Sequence, residues 1–173
     1  MDISKSKTYR NIVKMLSDHI FNKLFFHTSS QKEINILFIE NNVRDIELIT
    51  NLLKEIGNYK FNIITANNLS KGLVVLTENK IDVTLLDLSL SDCIGHDTFR
   101  KLRLRTPMLP IVVLTKSKLH QRELKSNLEG AQNYLVKSKI DSESLVKAIT
   151  EAIEKQKVHK KLMAQLEANL NCK

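Results

Sequence analysis

Between Ile34 and Lys155 the sequence alternates two patterns, and this alternation constrains the fold more than any other feature. Short apolar runs, Ile34–Ile39, Phe61–Thr65, Val83–Leu86, Ile111–Leu114 and Asn133–Val136, read as buried strands. Between them lie stretches whose apolar residues recur every three or four positions, the spacing of a helix with one covered face. These are Val43–Ile56, closed by Gly57, then about Leu69–Glu78, His96–Arg103 and Leu119–Leu128, the last ending at Gly130. Asp141-Ser142 caps a long final helix. Five strands alternating with five helices through short turns predict one doubly wound α/β domain, a parallel sheet covered on both faces.

In such a sheet the carboxyl ends of all strands share one rim, where open α/β folds place their chemistry. The first strand runs into Glu40-Asn41-Asn42, the third into Asp87, the fourth into Thr115, and the fifth into Lys137, with Tyr134 three residues before it. Taken singly, Glu40 reads equally as a surface acid, Thr115 as a helix cap and Lys137 as a solvated loop charge. Carboxylates, a hydroxyl and an ammonium at successive strand ends make a site.

The flanks differ from the middle. The chain carries a formal charge of +8, with six Lys/Arg against three Asp/Glu in residues 1–33, sixteen against fifteen in 34–154, and five against one in 155–173. The basic excess belongs to the two ends, which is not the distribution of a basic nucleic-acid-reading core. Thr8–Phe26 has helical amphipathic spacing and is joined to the domain by the polar stretch His27–Glu33. The last helix continues past its packing face with Val158, Leu162, Met163, Leu166 and Leu170 among lysines. The expected organisation is an N-terminal helix and linker (1–33), the α/β domain (34–155) and a basic helical extension (156–173). The end helices are expected to pair with each other or to form a homodimer. No apolar run reaches the roughly 18 residues of a membrane span, and the start lacks the apolar core of a signal peptide, so a cytoplasmic protein is expected. Cys93 and Cys172 read as free thiols, and no Cys/His cluster has zinc spacing.

Four segments carry a resemblance to a known family: Ile36-Leu37-Phe38-Ile39-Glu40-Asn41-Asn42; Leu85-Leu86-Asp87-Leu88-Ser89-Leu90-Ser91-Asp92 with Gly95; Ile111-Val112-Val113-Leu114-Thr115; and Gly130-Ala131-Gln132-Asn133-Tyr134-Leu135-Val136-Lys137. Together, in register over residues 33–155, they resemble the receiver (response regulator) domains of two-component signalling. The resemblance implies a flavodoxin-like (βα)5 sheet of order 2-1-3-4-5. It implies that Asp87 accepts a phosphoryl group from a histidine kinase or phosphotransfer protein. It further implies a Mg²⁺ held by Glu40, Asp87 and the backbone carbonyl of Ser89, a second positive charge from Lys137, a hydroxyl from Thr115, and Tyr134 as the switch aromatic. A face including His120, Arg122, Tyr134 and Lys139 is then expected to change with phosphorylation and meet a downstream protein.

Three departures stand out. Asn41 occupies the place of the principal metal-binding Asp and brings an amide oxygen without a charge. Ser138 stands where many relatives have Pro, and Ser91 replaces the Pro after the third strand. Eighteen residues after 155 are too few for a DNA-binding or catalytic domain. The expectation is therefore a stand-alone receiver, not an enzyme, acting through protein contacts. Two other readings stand beside it: an adaptor that works without phosphorylation, suggested by Asn41, and a nucleic-acid binder using the basic end helices, which have no aromatic in the tail to stack on bases.

Overall fold

The computed structural model describes residues 32–116, 131 and 133–170. The N-terminal amphipathic stretch, the expected helix at 119–128 with His120 and Arg122, and Cys172 lie outside the described residues. Among the described residues the elements are β1 (Lys32–Ile39), α1 (Val43–Lys54), β2 (Tyr59–Ala66), α2 (Leu69–Glu78), β3 (Val83–Asp87), α3 (His96–Arg105), β4 (Ile111–Thr115), β5 (Asn133–Val136) and α4 (Ser142–Leu170), with a 3-10 turn at Lys137–Lys139. The five strands form one sheet of order β2-β1-β3-β4-β5. The β1–β3, β3–β4 and β4–β5 pairs are parallel.

The central strands are apolar at nearly every position because both faces of the sheet are covered. Ile36, Leu37, Phe38 and Ile39 are all fully buried, yet they divide by the two-residue period of a strand. Ile34, Ile36 and Phe38 join Val83, Leu85, Val112 and Leu114 in a core shared with Ile49 and Leu53 of α1 and Leu145, Ile149 and Ala152 of α4. Leu37 and Ile39 point to the other face, with Leu86, Ile111 and Val113, against Leu69 of α2 and Phe99 and Leu102 of α3. Each such aliphatic side chain contributes roughly 2 kcal/mol when fully buried. On this second face α2 approaches closely at Gly72, where an added Cβ would lie 2.5 Å from the Ile39 side chain.

The helix boundaries have local causes. Asn42 caps α1, its side-chain oxygen accepting from the backbone N–H of Arg44 (3.0 Å) and Asp45 (3.4 Å). The helix ends at Lys54 with Glu55 as its cap, two residues before the expected Ile56 stop. Gly57 is not its left-handed terminator, since Gly95 alone among the described residues has positive φ. Asp141 caps α4 by accepting from Ser144 N–H at 2.7 Å, as its sequence pattern predicts. Among the described side chains of α4 the last buried one is Gln156, and Lys157 to Asn169 are all exposed. The helix thus crosses the expected domain edge without a break.

The strand order fixes the location of the site. The chain steps from β1 outward to β2, then crosses back to β3 on the other side of β1 and continues to β4 and β5. The direction of winding reverses between β1 and β3, the position where doubly wound sheets open a crevice at their carboxyl ends. Ile39 pairs with Leu86, so Glu40 and Asp87 leave adjacent strands at the same level.

Candidate functional site: an acidic rim around Lys137

Asp87 is the last residue of β3 and is almost completely buried. One carboxylate oxygen lies 2.8 Å from Lys137 Nζ. The other accepts from the backbone N–H of Ser89 at 2.7 Å. Glu40, also almost fully buried, is held the same way: Oε1 accepts from Asn42 N–H at 2.9 Å and Oε2 from Lys137 Nζ. Backbone anchors thus orient both carboxylates toward a single ammonium. Lys137 follows β5 directly and is itself buried.

A third carboxylate completes this cluster, and the strand-end pattern did not include it. Asp45, in the first turn of α1, places Oδ2 at 2.7 Å from Lys137 Nζ. Burial alone would push the Lys137 ammonium down. Hydrogen bonds to Asp45, Asp87 and Glu40 outweigh that penalty and hold it well above the ordinary lysine range. Three carboxylates and one ammonium leave a formal charge of −2 at the rim.

Thr115 ends β4 and is buried. It shares with Leu88, Ser89, Ile94, Gly95 and Lys116 a cavity of about 170 Å³ beside the Asp87 loop. Asp87 is level with Leu114, and Thr115 with Val136, so Thr115 and Lys137 both lie just beyond the phenylalanine-and-aliphatic core. Tyr134 is half-buried against the α2–α3 face of the core, and its burial raises the phenol above its usual range. Asn41 and Ser89 are exposed on the same rim.

The loop after Asp87 is itself tied down. Ser89 and Ile94 form an antiparallel bridge, and Gly95 N–H donates to Leu88 O at 2.7 Å. Gly95 turns the chain into α3 with φ of 65°, a conformation that favours glycine. Asp92 reaches across to α2, its oxygens accepting from Leu69 N–H (3.0 Å), Ser70 N–H (2.9 Å) and Ser70 Oγ (2.9 Å). The acid therefore caps a helix that precedes it by more than twenty residues.

Glu40 and Asp87 are hard oxygen donors brought to one point, and they fit a hard divalent cation such as Mg²⁺, which is commonly held by one or two carboxylates and retained water. Among the described residues no group of three or more His, Cys, Asp or Glu is disposed to hold a metal ion. Such a cation would therefore rest on these two carboxylates, with Asn41 and the Ser89 carbonyl as the further oxygens on the rim.

A doubly wound 2-1-3-4-5 sheet with buried acids at its switch point and a lysine after β5 defines a class of small signalling domain. Residues 36–150 match the model of the response regulator receiver domain. The chain belongs to the response regulator receiver domain family. It is 28% identical over 137 residues to the transcriptional regulatory protein CitT of Bacillus subtilis, covering 79% of this chain and 58% of that one. To the transcriptional regulatory protein GlrR of Escherichia coli it is 25% identical over 125 residues, 72% of this chain but 27% of that one. The chain thus spans only part of the length of these curated relatives. Among solved structures, a response regulator receiver domain protein from Clostridium thermocellum superposes with a TM-score of 0.61 at 28% identity, over 72% of this chain and 98% of its own. The expected family, sheet order and elongated C-terminal helix all hold. Among the described residues no helix is long and apolar enough to cross a membrane.

Proposed function

We propose that this receiver domain accepts a phosphoryl group on Asp87 from a phosphohistidine of a histidine kinase or phosphotransfer protein, and signals through protein contacts of the face that carries Tyr134. The observation that carries the reading is the setting of Asp87. It is buried, one oxygen is held by the Ser89 N–H and the other by the Lys137 ammonium. An Asp87 oxygen attacks phosphorus, the phosphorus–nitrogen bond of the donor breaks, and an acyl phosphate forms on the aspartate. Two anionic partners repel, and the reaction needs fixed positive charge where the phosphoryl oxygens develop theirs. Lys137 supplies one such charge from a position already on Asp87. Mg²⁺, when bound by Glu40 and Asp87, supplies further charge neutralisation. Thr115, at the end of the neighbouring strand, offers its hydroxyl to the new phosphoryl group. In this reading Tyr134, half-buried on β5, follows Thr115, and a new dianion biasing a two-state surface is an ordinary output of phosphorylation.

A second reading, an adaptor that binds partners without phosphorylation, is favoured by Asn41, which contributes no charge to the rim. One experiment separates the two. The protein is incubated with Mg²⁺ and acetyl phosphate, and its intact mass is followed. A gain of one phosphoryl group that is lost in Asp87→Ala supports the phosphoacceptor. No gain with acetyl phosphate, and no change in tyrosine fluorescence or amide shifts with beryllofluoride at 10 mM Mg²⁺, supports the adaptor. Pairing of two copies through the exposed stripe of α4 belongs to the same proposal, as a means of presenting two receiver faces together.

A further inference from the structure

Asp45 is the residue of the rim that neither the strand ends nor the family pattern assigns. It belongs to α1, whose first turn is set by the Asn42 cap, and its carboxylate reaches Lys137 Nζ at 2.7 Å. That distance is as short as the 2.8 Å between Lys137 and Asp87. The ammonium is thus divided among three acids, of which Glu40 and Asp87 are buried and Asp45 is partly open to solvent.

The division has a consequence for cation entry. Every oxygen of Glu40 and Asp87 is engaged: Glu40 by Asn42 N–H and Lys137, Asp87 by Ser89 N–H and Lys137. A divalent cation arriving between Glu40 and Asp87 must take the place of the ammonium on at least one of them. An ammonium displaced into a buried site without a partner would be costly, because an uncompensated buried charge is strongly destabilising. Asp45 removes that cost. It keeps one strong, charge-assisted hydrogen bond on Lys137 while the other two carboxylates are ceded. It also restores to the rim the third negative charge that Asn41 lacks, without itself being a ligand.

We propose that Asp45 is a positioning residue that parks Lys137, so that Glu40 and Asp87 can bind a divalent cation. The inference rests on the reading that those two carboxylates take such a cation, and its test is binding of the metal alone, without phosphoryl transfer. Free Mn²⁺ is titrated into the full chain and followed by its electron paramagnetic resonance signal, with thermal melts of each variant in parallel. Asp45→Asn is expected to weaken Mn²⁺ binding about tenfold or more, the size of one charge-assisted hydrogen bond. Asp45→Glu, which keeps a carboxylate on the same helix turn, is expected to stay within about threefold of the native chain. A double-mutant comparison separates parking from simple charge. With Lys137→Met there is no ammonium to park, and adding Asp45→Asn is then expected to change affinity less than about threefold. Native binding that Asp45→Asn leaves within twofold overturns the parking role and leaves the phosphoacceptor reading standing. An Asp45→Asn loss that is equally large in the Lys137→Met background also overturns it, assigning Asp45 a through-space charge only. No Mn²⁺ binding by the native chain at millimolar concentration overturns the inference together with the cation reading on which it rests.

Discussion

At the scale of single residues, the rim is expensive to assemble and its parts depend on one another. Glu40, Asp45 and Asp87 share the Lys137 ammonium. Replacing it leaves buried carboxylates facing one another, so Lys137→Met is expected to lower unfolding free energy by about 3 kcal/mol in metal-free buffer, measured by urea titration. The core holds a contrasting case. Thr84 of β3 is fully buried, and its hydroxyl has no hydrogen-bond partner. An isosteric Val at this site removes the penalty of an unsatisfied polar group, and Thr84→Val is expected to stabilise the domain by about 1 kcal/mol, seen as a higher Tm. The residues legible in the sequence were those whose chemistry follows an apolar run. Glu40, Asp87, Thr115 and Lys137 each sit where a buried strand stops, and position along the chain sufficed to find them. Asp45 was not legible in that way. It reads as an ordinary acid in a first helical turn, and its partner lies 92 positions away. A usable signal was present, however. Asp45 stands three residues after the Asn42 cap, so the same turn that follows β1 must bring it back over the rim.

At the scale of elements, the loop from Asp87 to α3 is held by two devices that differ in kind. Gly95 supplies a backbone conformation with positive φ. Gly95→Ala is expected to cost about 1–3 kcal/mol through strain, read from the urea midpoint. Asp92 supplies a clamp between this loop and the start of α2. Its carboxyl loses some solvation by partial burial, but bonds from Leu69 and Ser70 outweigh this and hold it below the ordinary aspartate range. Because the folded value lies below the unfolded one, the clamp's contribution is complete above the unfolded value near pH 4 and is lost as pH falls through the folded value. Thermal melts at pH 5 and pH 3 are expected to differ less in Asp92→Asn than in the native chain. In the sequence Asp92 is one more turn former after a strand. Its target, a helix terminus more than twenty residues earlier, becomes its neighbour only because β1 and β3 are adjacent in the sheet. Strand and helix identities were readable from periodicity, whereas α1 stops at Lys54 and not at Ile56, with Glu55 as its cap and its acid accepting from Ser142 Oγ of α4. Tertiary contact, more than local propensity, decides that end.

At the scale of the whole molecule, the far half of α4 sets the physical problem. Up to Gln156 the helix is secured by Leu145, Ile149, Ala152 and Ile153 in the core. Beyond it Val158 is 65% exposed, Leu162 53%, Met163 40% and Leu166 49%. This segment extends a helix already nucleated in the core, yet it is marginal in water, because backbone and side-chain ordering are not offset without a covered apolar face. The i,i+3 pair between Lys157 and Glu154, 2.8 Å apart, adds only a few tenths of a kcal/mol. Covering the stripe with a second copy removes both difficulties, although Lys157, Lys160 and Lys161 of the two copies then repel. Repulsion between exposed charges is screened by salt while apolar burial is not. Sedimentation velocity of the full chain is therefore expected to show a dimer at tens of micromolar whose share rises from 50 mM to 500 mM salt. Leu162→Lys with Leu166→Lys is expected to give a monomer at either salt concentration and to lose far-ultraviolet helical signal equivalent to about ten residues. The receiver domain itself, with its core ending at Gln156, keeps its cooperative melt. A chain that sediments as a monomer at both salt concentrations, with its helical signal intact, would show that α4 persists without a second copy and that pairing is not what this stripe is for.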